Sequence, residues 1–203
     1  MKLYMAPGSC TTGIHILLEE LDLAFEAWII NIPAGDHLKP DYVAINPKST
    51  IPTLVRDDGV ALTDYIAISW WLALSYPRAR LLPEGAANAA RVMEIISYVV
   101  GTVHGQGFAR LFTTDSFTSN PDEHDSVKAR GHEIVDKAFA ILEAQLSGGY
   151  AVEHFSIADP ALFYVEFWAD KLHIPLPSRL QAHYELMRSR PVVQRVLREE
   201  GYR

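Results

Sequence analysis

The chain has 203 residues, 49% of them apolar, and a formal net charge of −7 at pH 7. This size allows one large core or two small ones, and an acidic balance without a Lys- or Arg-rich segment excludes a surface built for nucleic acid. No stretch reaches the roughly 18 uninterrupted apolar residues of a membrane span, and the start lacks a signal-peptide pattern, so we expect a cytoplasmic protein with no membrane partner.

The first quarter of the chain alternates strand and helix patterns. A short apolar strand is followed by an amphipathic helix and a β-rich segment, which predicts a right-handed βαβ unit with parallel strands. Asp57-Asp58-Gly59 between two β-rich runs predicts a hairpin at the end of the sheet, and the helix after it ends before Pro77. The predicted elements are strands at 2–5, 25–32, 53–56 and 60–63 and helices after residue 10 and at 64–76.

Composition changes after Pro77, where no further strand pair with turn chemistry is found. We predict an α/β unit followed by an all-α helical bundle, with domains at 1–77 and 86–203 and a linker at 78–85. Ser156 to Asp159 has the pattern of a capping box. On the long helix that begins near residue 86, one polar stripe at helical spacing lines a site: Glu94, Ser97, Gly101, His104 and Phe108. The other helices are predicted at 127–146, 159–172, 178–188 and 192–200, with breaks at 147–149 and 175–177.

Cys10 is the only cysteine, and it lies where the first strand passes into the first helix. A single cysteine excludes an internal disulfide and a zinc site built of cysteines, and it fits a reducing compartment. The first N–H groups of a helix have no internal partner and carry partial positive charge, which stabilises a thiolate. We therefore expect a reactive thiol with a lowered pKa; a buried, inert cysteine is the alternative.

Four segments fall in the order and at the spacing of one known family: PGSCTTGIHILLEEL, INPKSTIPTLVRDDG, LTDYIAISWWL and SIADPALF. They make the chain resemble a bacterial cytosolic glutathione transferase, nearest to the cysteine-containing beta class. The resemblance implies a thioredoxin-like N-terminal domain that holds glutathione, a helical C-terminal domain, a homodimer and a role in detoxification. It also implies glutathione as co-substrate and no metal.

The resemblance places glutathione along Ile51-Pro52 and the start of the following helix. The matching X-Pro bond of the family is cis, and the Ile51 backbone would pair with the cysteinyl part of glutathione as an added strand. Asp64 would attract the γ-glutamyl amine, whereas Tyr65 replaces a small hydroxyl residue and leaves the γ-glutamyl carboxylate to backbone N–H groups. Ser97 is a further binding candidate. A plain loop proline at 52 and a simple helix cap at 64 are the alternatives.

The same resemblance suggests which residues meet the glutathione sulfur. Cys10 comes first, ahead of Thr11 and Ser9, whose hydroxyls flank it. His104 matches the beta-class histidine near the sulfur, where it would donate a hydrogen bond or act as an acid or base with a pKa near neutral. A partly exposed helix histidine without a catalytic role is the alternative.

Two reactions fit these residues. In conjugation, the glutathione thiolate attacks an electrophilic carbon of a small hydrophobic substrate, whose pocket would be built from Phe108, Phe112 and the loop around Phe117. In thiol transfer, Cys10 exchanges with glutathione mixed disulfides by a monothiol route, since no second cysteine is present. We predict conjugation, with thiol transfer as a side or rival activity. A non-catalytic glutathione-binding or protein-interaction module is the alternative from another class.

Overall fold

The computed structural model describes residues 1–146 and 149–202. The N-terminal part is built around a four-stranded sheet with the order β2-β1-β3-β4. As predicted, β1 pairs parallel with β2, and β3 and β4 form an antiparallel hairpin at the edge of the sheet. The structure adds that β1 pairs antiparallel with β3. The strands are β1 (Lys2–Met5), β2 (Glu26–Ile29), β3 (Thr53–Val55) and β4 (Ala61–Leu62).

Three helices accompany this sheet. Helix α1 (Thr11–Glu20) connects β1 to β2, α2 (Pro40–Val43) lies in the loop before β3, and α3 (Tyr65–Ser75) follows β4. The short α2 is not predicted by the sequence pattern, because one turn shows no periodicity. The predicted hairpin turn is confirmed, with Gly59 at φ +83° and the Arg56 N–H donating to the Val60 C=O at 3.0 Å.

The remainder of the described chain is helical. The predicted long helix is wound in three parts: α4 (Ala86–Tyr98), a π-helical stretch (Val99–Phe108) and α5 (Ala109–Phe112). The helices that follow are α6 (His124–Gln145), α7 (Ala158–Lys171), α8 (Ser178–Ser189) and α9 (Pro191–Glu199). Of the predicted break at 147–149, Ser147 and Gly148 lie outside the described residues. Within the described ranges, no helix combines the length and the apolar character that a bilayer crossing requires.

The start of α7 carries the predicted capping interaction. The Asp159 carboxylate accepts the Ser156 N–H at 2.6 Å, and the Ser156 hydroxyl accepts the Ala158 N–H at 3.2 Å. Asp159 also accepts the Ala151 N–H at 2.6 Å and faces His183 Nε2 at 3.1 Å. The box is therefore part of a larger buried polar cluster rather than a helix cap alone.

One hydrophobic core continues from the sheet into the helices. Leu3, Leu17, Val99 and Phe163 all belong to it and are fully buried. Helix α1 lies between the sheet and helices α7 and α9. The first turn of α1, which carries Cys10, is thus at the boundary between the two halves of the chain.

Candidate active site

Cys10 and the Ile51-Pro52 segment meet at the start of α1. Cys10 is the N-cap residue of this helix and is only 6% exposed. Its Sγ–H donates to the Ile51 C=O at 3.7 Å, and the Ile51–Pro52 peptide bond is cis, as the resemblance implies. The fold thus brings the predicted thiol next to the predicted backbone edge, although 41 residues separate them.

The environment of the Cys10 thiol corrects the prediction of a lowered pKa. Burial raises the pKa of this thiol to about 12. The N–H groups of Cys10 and Thr11 and the Ser9 hydroxyl favour the thiolate, but their effect is smaller than the cost of desolvating a charge. At neutral pH Cys10 is therefore a protonated thiol, a hydrogen-bond donor rather than a nucleophile.

The hydroxyls on either side of Cys10 hold the loop that carries it. The Thr11 hydroxyl donates to the Ala6 C=O at 2.9 Å, so the Ser9 hydroxyl, 2.7 Å away, donates to Thr11 Oγ1. Ser9 Oγ also accepts the Thr11 N–H at 3.1 Å. Thr11 is fully buried and structural, which corrects its prediction as a catalytic hydroxyl. Ser9 is partly exposed and keeps its candidacy.

The Asp64 carboxylate lies at the N-terminal end of α3 but does not cap it. No hydrogen bond joins its side chain to the helix N–H groups. It accepts instead from Thr50 Oγ1 at 3.1 Å and from Lys48 Nζ at 3.4 Å, and about half of it is exposed. The alternative of a simple side-chain cap is therefore wrong. Asp64 and Lys48 present one exposed charge of each sign beside Ile51.

Tyr65 turns away from this surface. Its ring is buried and lies 5.3 Å from the Tyr164 ring, between the two halves of the chain. Burial raises the pKa of its phenol well above the usual value, and no group among the described residues pairs with its Oη. The inward direction of the side chain leaves only the backbone of residue 65 for a contact with glutathione, which is the contact that the sequence predicts.

His104 is partly buried in an aromatic cluster. Its Nδ1 lies 3.3 Å from Tyr164 Oη, and its ring centroid is 4.8 Å from that of Trp168. Burial lowers the pKa of His104 to about 4, so the imidazole is neutral at pH 7. This corrects the prediction of an acid or base that titrates near neutrality. A neutral imidazole still has one N–H to donate.

The three predicted pocket residues have different environments. Phe108 is fully buried in the core, which corrects its assignment as a pocket wall. Phe112 is 49% exposed, stacks on Phe108 at 5.9 Å and contacts the Trp168 ring at 5.2 Å. Phe117 is partly exposed beneath the Arg110 guanidinium, 4.4 Å from the ring centroid. Phe108 and Phe112 both lie against the Trp168 ring of the cluster that contains His104, at 5.4 and 5.2 Å, but of these two only Phe112 is exposed.

Ser97 is exposed on α4, three residues before Val100. Val100 and Asp64 both line a surface cavity of about 450 Å³, whose apolar wall includes Trp70 and Met93. Residues three apart share a helix face, so Ser97 borders the cavity beside Asp64.

The comparisons with known proteins agree with this arrangement. The family model described as glutathione S-transferase, N-terminal domain, matches residues 8–74, and the one for the C-terminal domain matches residues 125–199. Glutathione S-transferase GstA of Escherichia coli O157:H7 is 32% identical over 99% of this chain and 99% of its own length. The chain belongs to the glutathione S-transferase family.

Solved structures of other glutathione S-transferases share the whole fold. A transferase homolog from Sulfitobacter with bound glutathione superposes with a TM-score of 0.90 at 27% identity, covering 100% of this chain and 98% of that one. The beta-class transferase of Sphingomonas chungbukensis has a TM-score of 0.84 at 29% identity, covering 99% of each chain. This transferase therefore has the predicted thioredoxin-like N-terminal domain and helical C-terminal domain, and glutathione is its co-substrate.

One cluster of the transferase has atoms close enough to bind a metal. Ligand atoms of His15, Glu19 and Glu199 all lie within 4.8 Å of one another. The carboxylates of the cluster already have partners, because Glu199 Oε2 lies 3.3 Å from His15 Nε2 and Glu19 pairs with Arg195 at 2.6 Å. These contacts identify it as an ion-pair network between α1 and α9.

Sequence reasoning missed four residues of this site. Lys48 and Thr50 precede Ile51 in the same segment, so their proximity to the Ile51 backbone could have identified them. Tyr164 and Trp168 lie one turn apart on α7, and Trp168 Nε1 donates to the Gly8 C=O at 2.7 Å. Their helix carries apolar residues on every side, so no stripe distinguishes a site-facing position from a core position.

Proposed function

We propose that this transferase conjugates glutathione to small hydrophobic electrophiles, with protonated Cys10 donating a hydrogen bond to the glutathione thiolate. The placement of Cys10 beside the Ile51 C=O supports this proposal most directly. A peptide that pairs with the Ile51 backbone has its side chain at the edge of the sheet, next to the first turn of α1. A cysteine side chain in that peptide then lies within reach of the Cys10 thiol.

The two charges near Ile51 support the orientation of glutathione. The γ-glutamyl end carries an ammonium and a carboxylate on one carbon, and Asp64 and Lys48 offer the complementary pair 3.4 Å apart. The first backbone N–H groups of α3 add donors for the carboxylate. We propose Ile51, Pro52, Asp64 and the Tyr65 backbone as the glutathione contacts, with Ser97 at the border.

Protonation states favour conjugation over thiol transfer. During conjugation a C–S bond forms between glutathione and the electrophile, the leaving group departs with its electron pair, and the thiol proton of glutathione passes to solvent. The raised pKa of Cys10 suits a donor that stabilises the glutathione thiolate. Tyr164 Oη lies 3.3 Å from Nδ1 of His104, and in the tautomer in which Tyr164 donates, the imidazole proton is on Nε2 as a second donor. Thiol transfer needs a Cys10 thiolate, which burial disfavours.

Variants of Cys10 and His104 test this proposal. Cys10→Ala removes the thiol donor, and we expect a ~10–100-fold loss in kcat/KM for an aryl chloride, as for a hydrogen bond to a charged acceptor. Cys10→Ser, which keeps a donor, restores part of that loss. His104→Ala has a similar effect, whereas His132→Ala, at an exposed position on α6, is the matched control and changes nothing.

Each outcome separates the candidate activities. Full conjugation by Cys10→Ala contradicts the donor role, and full disulfide reduction by the same variant refutes thiol transfer through Cys10. Retention of the wild-type protein on immobilised glutathione without turnover of any electrophile favours the binding module. If the wild-type protein is neither retained on immobilised glutathione nor able to turn over an electrophile, the proposal is refuted.

The remaining parts of the proposal concern assembly and location. We propose a cytoplasmic homodimer with domains at 1–77 and 86–203. An apolar surface formed by Ile66, Trp70, Met93 and Val100 beside Asp64 supports a second copy there, because such exposed patches mark interfaces. Light scattering of the wild type and of Trp70→Glu tests this part of the proposal. A monomeric wild type contradicts the homodimer, and a dimeric Trp70→Glu variant contradicts this surface as its interface.

A further inference from the structure

We propose that Glu200 is a positioning residue for Cys10, because its buried carboxylate holds both sides of the loop that carries the thiol. The Glu200 side chain is 1% exposed and comes from the end of α9, far along the chain from Cys10. Its Oε2 accepts the Gly8 N–H at 2.8 Å and the Thr12 hydroxyl at 2.6 Å. These donors lie two residues before and two residues after Cys10.

The other carboxylate oxygen holds α1 itself. Oε1 of Glu200 lies 2.9 Å from Nδ1 of His15, one turn further along the helix. A single carboxylate therefore has partners in the loop and in the first two turns of α1. Hydrogen bonds to a charged, desolvated acceptor are among the stronger ones in proteins, so these contacts restrict how far the Cys10 segment can move.

Gly8 shows how closely the C-terminal half of the chain holds this loop. Glu200 accepts its N–H, Trp168 donates to its C=O at 2.7 Å, and the Tyr202 ring lies against its Cα. A Cβ at position 8 would be 2.0 Å from Tyr202 Oη, and the backbone has φ +73°. The loop before Cys10 is thus fixed on three sides by residues from the other half of the chain.

The consequence concerns the accessibility of Cys10 and its distance from the Ile51 C=O. The thiol is nearly buried because the loop is closed against α1. Loss of the carboxylate leaves the Gly8 N–H and the Thr12 hydroxyl without an acceptor and lets the loop open. Glu200 therefore determines both the burial of Cys10 and its alignment with glutathione. The statement about alignment rests on the function proposed above.

The test compares Glu200→Ala, Glu200→Gln and the matched control Glu185→Ala, at an exposed position on α8. The first readout is the rate at which iodoacetamide alkylates Cys10 at pH 8, followed by intact mass, since no other cysteine competes. We expect Glu200→Ala to raise this rate about tenfold, as loss of hydrogen bonds to a charged acceptor predicts. Glu200→Gln keeps an acceptor for Gly8 and Thr12 and stays close to the wild-type alkylation rate. Glu185→Ala leaves that rate unchanged.

The second readout is the KM for glutathione against kcat. We expect Glu200→Ala to raise KM, with rescue by Glu200→Gln. Unchanged alkylation and KM in folded Glu200→Ala overturn the proposal and leave Glu200 with a role in stability alone. If Glu200→Ala does not fold, Thr12→Val removes one of the same hydrogen bonds, and an unchanged alkylation rate in that variant overturns the proposal as well. Alkylation does not depend on turnover, so its response is separate from any failure of the proposed conjugation.

Discussion

Tyr65→Phe is expected to stabilise the protein, because the Tyr65 hydroxyl is buried without a partner among the described residues. Leaving a buried polar group unpaired costs about 1–3 kcal/mol, and that cost disappears with the hydroxyl. Removal of the hydroxyl leaves a cavity of about 10 Å³, which destabilises the protein by only about 0.2 kcal/mol at ~24 cal/mol per Å³. The free energy of unfolding should therefore rise by about 1–2 kcal/mol.

Urea unfolding at fixed protein concentration, followed by far-UV circular dichroism, measures this change. Tyr184→Phe is the matched control, since that ring is also buried but its hydroxyl donates to Asp170 at 3.0 Å. The control should lose stability by about 1 kcal/mol. If Tyr65→Phe loses stability like the control, its hydroxyl has a partner and the reasoning is refuted.

The glycine beside Tyr65 provides a second arm for the same experiment. A Cβ at Gly13 would be 2.3 Å from Tyr65 Oη and 2.8 Å from the Pro160 C=O. Gly13→Ala should therefore cost about 1–3 kcal/mol by overpacking. The cost should shrink in the Tyr65→Phe background but not vanish, because the Pro160 contact remains. Strict additivity of the two substitutions would contradict the contact.

Three further predictions concern titration. Burial opposes the charged form of His183, but Glu166 and Asp159 outweigh it and raise the pKa to about 10. The stability that protonated His183 contributes is fully present below the unfolded pKa of about 6.5 and is lost as pH rises towards 10. The difference in free energy of unfolding between the wild type and His183→Gln should therefore narrow over that pH range. Urea unfolding measures this difference. Alkylation of Cys10 should keep accelerating up to pH 10 without a plateau, because its pKa is about 12. The pH profile of kcat/KM for conjugation should show no inflection from His104 near neutrality, because its pKa is about 4.

Each titration has an outcome that contradicts it. A stability gap for His183→Gln that stays constant from pH 6 to 10 means that folding does not raise the pKa of this histidine. A plateau in alkylation near neutral pH means that the thiol is ionised despite its burial. An inflection near pH 6.5 that disappears in His104→Ala restores the acid–base role that the structure argues against.

Much of the fold is accessible from the sequence because it depends on periodic burial. Ile14, Leu17 and Leu18 repeat at helical spacing in α1 and are fully buried, as their spacing predicts. The hairpin follows from Gly59, whose positive φ a glycine adopts without cost. These features are local, so a single segment determines them.

The details of the site depend on contacts between distant segments. Cys10 has a raised pKa because both halves of the chain bury it, and no pattern near residue 10 shows that burial. Glu200 is one of several charged residues near the end of the chain, and only the fold reveals that its carboxylate faces Gly8. The direction of the Tyr65 side chain, inward rather than toward Asp64, likewise follows from tertiary packing.

The predicted polar stripe on the long helix fails for a different reason. It assumes α-helical spacing from Glu94 to Phe108, but the stretch Val99–Phe108 is π-helical and closes its hydrogen bonds one residue later. Glu94, Ser97 and Gly101 are exposed, whereas Phe108 has rotated into the core. A sequence pattern cannot show this change of winding, because both windings use the same residue types.

That change of winding also bears on how such a protein can diverge. Because a π turn holds one residue more than an α turn, deletion of one residue within Val99–Phe108 converts a π turn into an α turn and leaves the side chains after the stretch in register. The residues around His104 within the stretch would then present a different surface to an incoming electrophile, while Phe112, the sheet and the glutathione contacts stay as they are. Length variation at one helical stretch is thereby a route to new substrate preferences that needs no new loop.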